Sequence, residues 1–142
     1  MKSGGRMFTS VHHVHYVVRN RDAMVSYIER NFGLKPVNLE EHPGRGKDAM
    51  YKVGTTLIEL TEPLDPNSAM GKSLARNGPG VWHVAWRVPS VRKAAKELAA
   101  KGNKIRGEGG LTRSPRGYTT VNIEPESSQG IWFQLAQGSA KM

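Results

Sequence analysis

Two histidines about 70 residues apart each begin a short stretch rich in β-branched and aromatic residues. His13 opens HVHYVV and His83 opens HVAWRV; later in each half a similar stretch carries one polar residue, Glu59 in LIEL and Gln134 in WFQL. Imidazole nitrogens together with carboxylate or amide oxygens suit a divalent cation, and four such ligands leave positions for water or substrate. The pattern therefore predicts one metal site to which each half of the chain contributes two ligands.

The elements that must position these ligands repeat in the same order. Each histidine stretch has the composition of a strand and precedes an amphipathic helix pattern, over 21–31 and over 91–101, that ends at a glycine. Further strand candidates cover 35–41, 49–53 and 55–61 in the first half and 103–107, 118–123 and 130–136 in the second. This order predicts an α+β fold of two βαβββ modules.

The module boundaries follow from composition. We expect residues 1–8 to form a flexible tail and residues 9–137 to form a single domain, with module one over 9–62 and module two over 80–137. The connection over 63–79 is rich in Pro, Asn, Ser and Gly, and 64–74 can hold a short helix.

Side-chain alternation decides which residues of these strands can meet. His13 and His15 share one face of the first strand, and Glu59 points away from its apolar neighbours Ile58 and Leu60. Where His15 stands, the second half of the repeat has Ala85. We therefore expect His15 to lie beside the metal, where an imidazole that titrates near neutral pH can act as acid or base.

The composition narrows the possible chemistry further. None of the 142 residues is cysteine, which excludes zinc–thiolate sites, iron–sulfur clusters and cysteine nucleophiles. The net charge of +9 favours an acidic small molecule, and no helix-turn-helix, zinc-finger or aromatic–basic single-strand motif points to nucleic acid. With no secretory signal and no long apolar run, we expect a cytoplasmic protein without membrane contact.

Four longer segments resemble the vicinal oxygen chelate superfamily, also called the glyoxalase/bleomycin-resistance/dioxygenase superfamily. They are HHVHYVVRNRDAMVSYIERNFGL, GTTLIELTEPL, GPGVWHVAWRVPSV and EPESSQGIWFQL. The resemblance implies two βαβββ modules whose mixed sheet forms a cup, with the helices outside, around a divalent ion such as Co, Zn, Ni, Mn or Fe. Carried over by position, the ligands are His13, Glu59, His83 and Gln134.

Within that superfamily the sequence is most similar to the methylmalonyl-CoA epimerases. The similarity implies an isomerase or lyase that acts on an anionic carbonyl compound or CoA thioester through a metal-stabilised enolate, and it implies a homodimer. Two departures stand against this. Gln134 replaces the glutamate that takes part in proton transfer, and an amide cannot act as a base. The second base, a glutamate of the third strand, falls near Ala49, with Asp48 expected on the opposite face.

Other residues can replace the missing groups. His15 and Asp48 are the catalytic candidates, with Glu40 and Glu41 weaker ones. Tyr51, which shares the face of Ala49, Trp132 and Arg87 are the candidates for substrate binding, because arginine can hold a carboxylate through two parallel hydrogen bonds. Two alternative functions stay open: an Fe(II) ring-cleavage dioxygenase using His13, His83 and Glu59, and a small-molecule binding or resistance protein without catalysis.

Overall fold

The computed structural model describes residues 6–106, 111–114 and 116–139. Within them the chain forms eight β-strands and three α-helices. The strands are β1 (Ser10–Val17), β2 (Asn38–His42), β3 (Gly46–Val53), β4 (Thr56–Pro63), β5 (Gly80–Arg87), β6 (Leu111–Arg113), β7 (Thr119–Asn122) and β8 (Phe133–Gln137). The helices are α1 (Arg21–Phe32), α2 (Ala69–Asn77) and α3 (Val91–Ala100). These elements divide into two compact units: the first unit is residues 13–82, and the second consists of the described residues up to 12 and from 83 onwards.

The first unit is a βαβββ module with strand order β2-β3-β4-β1. β1 runs parallel to β4, and the β2–β3 and β3–β4 pairs are antiparallel. Helix α1 begins after Asn20, whose side chain accepts a hydrogen bond from the Ala23 amide, and it ends at Gly33 in the left-handed conformation. Its apolar side packs on the sheet over a core of buried residues: Val18, Ala49, Tyr51 and Leu60.

The second unit repeats this arrangement, with strand order β5-β8-β7-β6. Helix α3 begins after Ser90, which accepts a hydrogen bond from the Lys93 amide. Its residues Val91, Ala94 and Ala95 form a buried cluster with Val88, Val121 and Leu135. Met7 and Phe8 of the expected tail also pack on this cluster, where the Phe8 ring stacks on Trp86 at 4.9 Å. The two modules and the α+β class are thus confirmed, and among the described residues no helix is long and apolar enough to cross a membrane.

The largest error in the predicted elements concerns the sixth strand, which was expected over 103–107 but lies at Leu111–Arg113. Ile105 makes one isolated bridge with Ile123, while the Lys104 amide donates to Ser127 at the 3₁₀ turn Pro125–Ser127. Among the described residues 103–106 this bridge is the only β pairing, so they form no strand; residue 107 itself lies outside the described part of the chain.

The connecting helix also begins later than expected. The sequence predicted it over 64–74, but α2 starts at Ala69, because Ser68 caps it by accepting from the Gly71 amide.

Arg21, the first residue of α1, is a buried charge that the sequence analysis did not single out. Its Nη1 donates to the carbonyl oxygens of Glu40 and Asp48 at 3.0 and 2.9 Å, and its Nη2 donates to the Glu41 carboxylate. Its backbone amide donates to Glu62. One residue thus ties the start of α1 to β2, β3 and β4.

We predict that Arg21→Met lowers the free energy of unfolding by about 1–3 kcal/mol, because two carbonyl oxygens and a carboxylate lose a buried donor. Arg30→Met is the matched control on the same helix, where the guanidinium lies over the Tyr27 ring at 5.8 Å; its cost should be below about 1 kcal/mol. Urea unfolding measures both values, and equal losses would contradict the role given to Arg21.

Candidate functional site

The strand register of the first unit gathers five polar residues on one face of its sheet. In the parallel pair His15 lies opposite Glu59, and in the antiparallel pair Asp48 lies opposite Thr61. Residues that lie opposite each other on neighbouring strands share a face. His13 points to the same face as His15, because the two are separated by two positions along β1. We call this the site face; the other face carries the core beneath α1.

A chain of hydrogen bonds crosses the site face. His15 Nε2 lies 2.8 Å from Thr61 Oγ1, and Thr61 Oγ1 donates to Asp48 Oδ1 at 2.7 Å. Because the single hydroxyl proton goes to Asp48, the His15–Thr61 bond must use a proton on His15 Nε2. In the neutral imidazole, Nδ1 then has no proton, and it lies 3.7 Å from Glu59 Oε1. His15 is only 8% exposed, so these contacts fix the ring in an interior position.

A second polar cluster continues from Asp48 to the edge strand. His42 Nε2 lies 3.3 Å from both Glu40 Oε2 and Asp48 Oδ2, and ligand atoms of the three residues fall within 4.8 Å of one another. Asn38 donates to the other oxygen of Glu40. Two carboxylates and an imidazole form a candidate cation-binding cluster. The sequence analysis named Asp48 and Glu40 but missed His42; the signal was the Glu40–His42 alternation, which has meaning only once β2 is paired with β3.

In the second unit the structure brings His83 and Gln134 together. His83 Nε2 lies 3.0 Å from Gln134 Oε1, and both residues are 8% exposed. Trp132 covers the imidazole, with 4.4 Å between the ring centroids. Gln134 Nε2 donates to Asn122, a residue the sequence analysis did not consider. An imidazole nitrogen and an amide oxygen are thus in hydrogen-bond contact at a buried position.

Arg87, expected to bind a substrate carboxylate, lies in the second unit but is engaged with its own chain. Its Nη1 donates to Ser10 Oγ at 2.6 Å and to the Val11 carbonyl at 3.4 Å, and its backbone carbonyl accepts from Thr9. The residue therefore helps to hold the first residues of β1 and Thr9 before them.

The predicted phase of the third strand was wrong. Ala49 and Tyr51 lie in the core beneath α1, and Asp48 lies on the site face, opposite to the expectation. The reason is the alternation itself: burial of Ala49 and Tyr51 against the helix turns Asp48 the other way without any bulge. Tyr51 is fully buried, and burial, followed by the nearby charge of Glu29, raises the pKa of its phenol. The structure thus does not bring Tyr51 to the site face.

His12, the neighbour of His13, is a core residue of the second unit. It is fully buried, its Nε2 donates to the Gly138 carbonyl at 2.8 Å, and its ring meets the Tyr118 ring at 4.7 Å. Burial lowers the pKa of His12 and the positive charge of Arg87 lowers it further, against the opposing effect of the Gly138 hydrogen bond. The folded protein therefore keeps His12 neutral at pH values where the unfolded chain binds a proton.

This pKa shift makes a prediction about stability. Between the unfolded pKa of about 6.5 and the lower folded value, the unfolded chain binds more protons, so the free energy of unfolding must fall as the pH decreases. In His12→Gln, whose amide can still donate to Gly138, this part of the pH dependence should be missing. Urea unfolding of both proteins between pH 8 and pH 5 measures it; identical slopes would show that His12 titrates normally.

Comparisons with known proteins agree with this fold. A sequence model described as the Glyoxalase/Bleomycin resistance protein/Dioxygenase superfamily matches residues 12–119. A comparison with curated proteins returned no match.

Among solved structures, the chain is similar to methylmalonyl-CoA epimerase from Mycobacterium tuberculosis, with 23% identity, a TM-score of 0.83, and coverage of 95% of this chain and 91% of that one. A variant of Streptomyces coelicolor methylmalonyl-CoA epimerase in complex with 2-nitronate-propionyl-CoA is 26% identical, with a TM-score of 0.81 and coverage of 94% and 99%. A methylmalonyl-CoA epimerase in complex with methylmalonyl-CoA and NH4+ is 24% identical, with a TM-score of 0.80 and coverage of 95% and 99%.

The superfamily model spans well over half of the sequence and includes both His13 and His83. The βαβββ modules of the structure agree with it. This chain belongs to the glyoxalase/bleomycin resistance protein/dioxygenase superfamily.

Proposed function

We propose that this protein is a divalent-metal-dependent enzyme that moves a proton on an anionic carbonyl or CoA thioester substrate through an enolate, in the manner of a methylmalonyl-CoA epimerase. The observation that carries the proposal is the chain from Glu59 through His15 and Thr61 to Asp48, because it supplies a buried imidazole with a defined proton position. The similarity to epimerases whose structures hold CoA thioesters supports the substrate class.

The proposed ligands of the metal are His13, Glu59, His83 and Gln134. The second unit offers a test of fit: His83 Nε2 and Gln134 Oε1 lie 3.0 Å apart. The two atoms are in hydrogen-bond contact, and both are of the kind that binds a divalent ion, so one ion could take both as ligands in place of this contact. When bound, the ion polarises a carbonyl oxygen and makes the neighbouring C–H group more acidic. Nitrogen and oxygen donors admit Co, Zn, Ni, Mn or Fe.

Proton transfer falls to the first unit, because Gln134 cannot act as a base. His15 accepts the proton at Nδ1 while its Nε2–H continues to donate a hydrogen bond to Thr61 Oγ1. Asp48, through Thr61, and Glu59, at 3.7 Å, stabilise the imidazolium that forms. His15 thus takes the role of base, and Asp48 that of a group that orients it and holds its charge.

Charge and aromatic surface support the proposed substrate class. The chain carries a net charge of +9, and helix α3 with its exit presents exposed cations: Arg92, Lys93, Lys96 and Lys101. These favour the approach of an anionic thioester. We propose Trp132 as a contact for the substrate beside His83, and Arg87 as a second contact because a guanidinium suits a carboxylate. The homodimer stays a prediction from the family resemblance.

We predict that protein purified without chelators contains a stoichiometric divalent metal by elemental analysis, and that His13→Ala loses it because an imidazole ligand is removed. His42→Ala is the matched control: it disrupts the Glu40–His42–Asp48 cluster, so retention of metal in this variant assigns the ion to the proposed ligands. If the wild type holds no metal and takes up none of the five ions, the ligand assignment is wrong.

The reaction is tested by isotope exchange. The metal-loaded wild type should exchange the C2 hydrogen of methylmalonyl-CoA with solvent deuterium, followed by mass spectrometry, and His15→Gln should slow this by about 10²–10⁴-fold with unchanged metal content. Thr61→Val should lower the exchange rate by a smaller factor. Thr61→Ser should keep the wild-type rate, since serine retains the hydroxyl between His15 and Asp48. A metal-loaded protein without exchange contradicts the epimerase-like function, and full activity of His15→Gln contradicts the assigned base.

A further inference from the structure

The side-chain amide of Gln134 can be oriented in two ways, with either its oxygen or its nitrogen towards His83. The two oxygens of a glutamate are equivalent, whereas a glutamine can bind a metal ion through its oxygen but not through its NH₂ group. A glutamine in a metal site therefore needs a neighbour that decides which way its amide points. From the contacts of Gln134 we propose that Asn122, itself oriented by Trp132, is the positioning residue that makes Gln134 present its oxygen beside His83. This inference rests on the metal site proposed above.

The orientation starts from the indole of Trp132. Its Nε1–H can only donate, and it lies 2.6 Å from Asn122 Oδ1. If the Asn122 amide were reversed, two N–H groups would face each other at this distance. Trp132 therefore fixes the oxygen of Asn122 as the atom that faces it.

The same oxygen then orients Gln134. Asn122 Oδ1 also lies 3.1 Å from Gln134 Nε2, which must be the donor because an amide oxygen can only accept. With its nitrogen held there, Gln134 turns Oε1 to His83 Nε2 at 3.0 Å. Reversing Gln134 would place two oxygens face to face and direct its NH₂ group at the proposed metal position.

The elements of the second unit make this arrangement rigid. Asn122 and Gln134 lie directly opposite each other in the antiparallel pair of β7 and β8. Gln134 is 8% exposed, so little water reaches it to replace Asn122 as a hydrogen-bond partner. From outside, the Arg106 guanidinium lies 5.1 Å over the Trp132 ring and is itself paired with Glu124 at 3.1 Å.

The proposal predicts that Asn122 matters for metal binding only while residue 134 is an amide. In the wild type, Asn122→Ala should weaken the affinity for Co²⁺ by about 10–100-fold, the usual effect of removing a group that orients a ligand. In a Gln134→Glu background the same Asn122→Ala change should not weaken the affinity, because either carboxylate oxygen can face the ion and residue 134 has no N–H left to donate to Asn122 Oδ1. Competition with a chromophoric chelator measures all four affinities.

This double-mutant cycle separates orientation from simple packing. If Asn122 only supports the fold around β7, its removal costs the same in both backgrounds, and that result overturns the proposal. Thr112→Ala, in the same unit and with an exposed side chain outside this chain of contacts, is the control that should leave the affinity unchanged.

A measurement without metal keeps the inference separate from the proposed function. The chain has three glutamines, and two of them, Gln129 and Gln137, are exposed. In protein labelled with ¹⁵N-glutamine, the Gln134 side-chain amide should exchange with solvent more slowly than the other two, and Asn122→Ala should abolish this protection. If the protection is present but the wild type binds no Co²⁺, the proposed function fails while the orienting contact stands. If Gln134 is unprotected, the positioning role of Asn122 is wrong.

Discussion

The structure depends on one constraint, the alternation of side chains along strands that have one face covered by a helix. In the first unit, Ala49, Tyr51 and Leu60 are buried beneath α1. Once they point to the helix, their neighbours must point away from it, which turns Asp48, Glu59 and Thr61 to the site face. The apolar core therefore decides the position of the polar groups, and a shift of one residue in any strand would move its polar side chain into the core.

The second organising feature is that a few groups, which can only donate or only accept a hydrogen bond, set the direction of the bonds around them. An ionised Asp48 can only accept, so the hydroxyl of Thr61 donates to it and His15 must supply a proton from Nε2. In the second unit the indole of Trp132 can only donate, and the direction of each bond onward through Asn122 follows. In both units a residue that can only donate or only accept thus sets the direction of the neighbouring hydrogen bonds: in the first unit it places the proton of His15, and in the second it places the oxygen of Gln134.

The two units differ where their sequences differ. Their order of elements is the same, but Glu59 on β4 corresponds to Gln134 on β8, and His15 corresponds to Ala85. At these two pairs of corresponding positions, the groups able to exchange a proton are therefore in the first unit. The second unit has the neutral amide of Gln134 beside His83, the ring of Trp132 over that imidazole, and Asn122 bonded to the amide nitrogen. This asymmetry is the reason why the proposed function assigns proton transfer to residues of the first unit.

Much of the fold could be predicted from the sequence alone. The histidine strands, the helices that follow them and their capping glycines gave the order of the βαβββ modules, because hydrophobic periodicity and turn residues are local properties. The pairing of His13 and His15 on one face followed from the same local alternation. The tertiary structure alone decided which face of β3 carries Asp48 and which strands Arg21 holds together. It also decided that His42 lies beside Asp48 and which way the Gln134 amide points. Each of these depends on a partner distant in the sequence, and a strand pattern by itself does not reveal which residue will lie across from it.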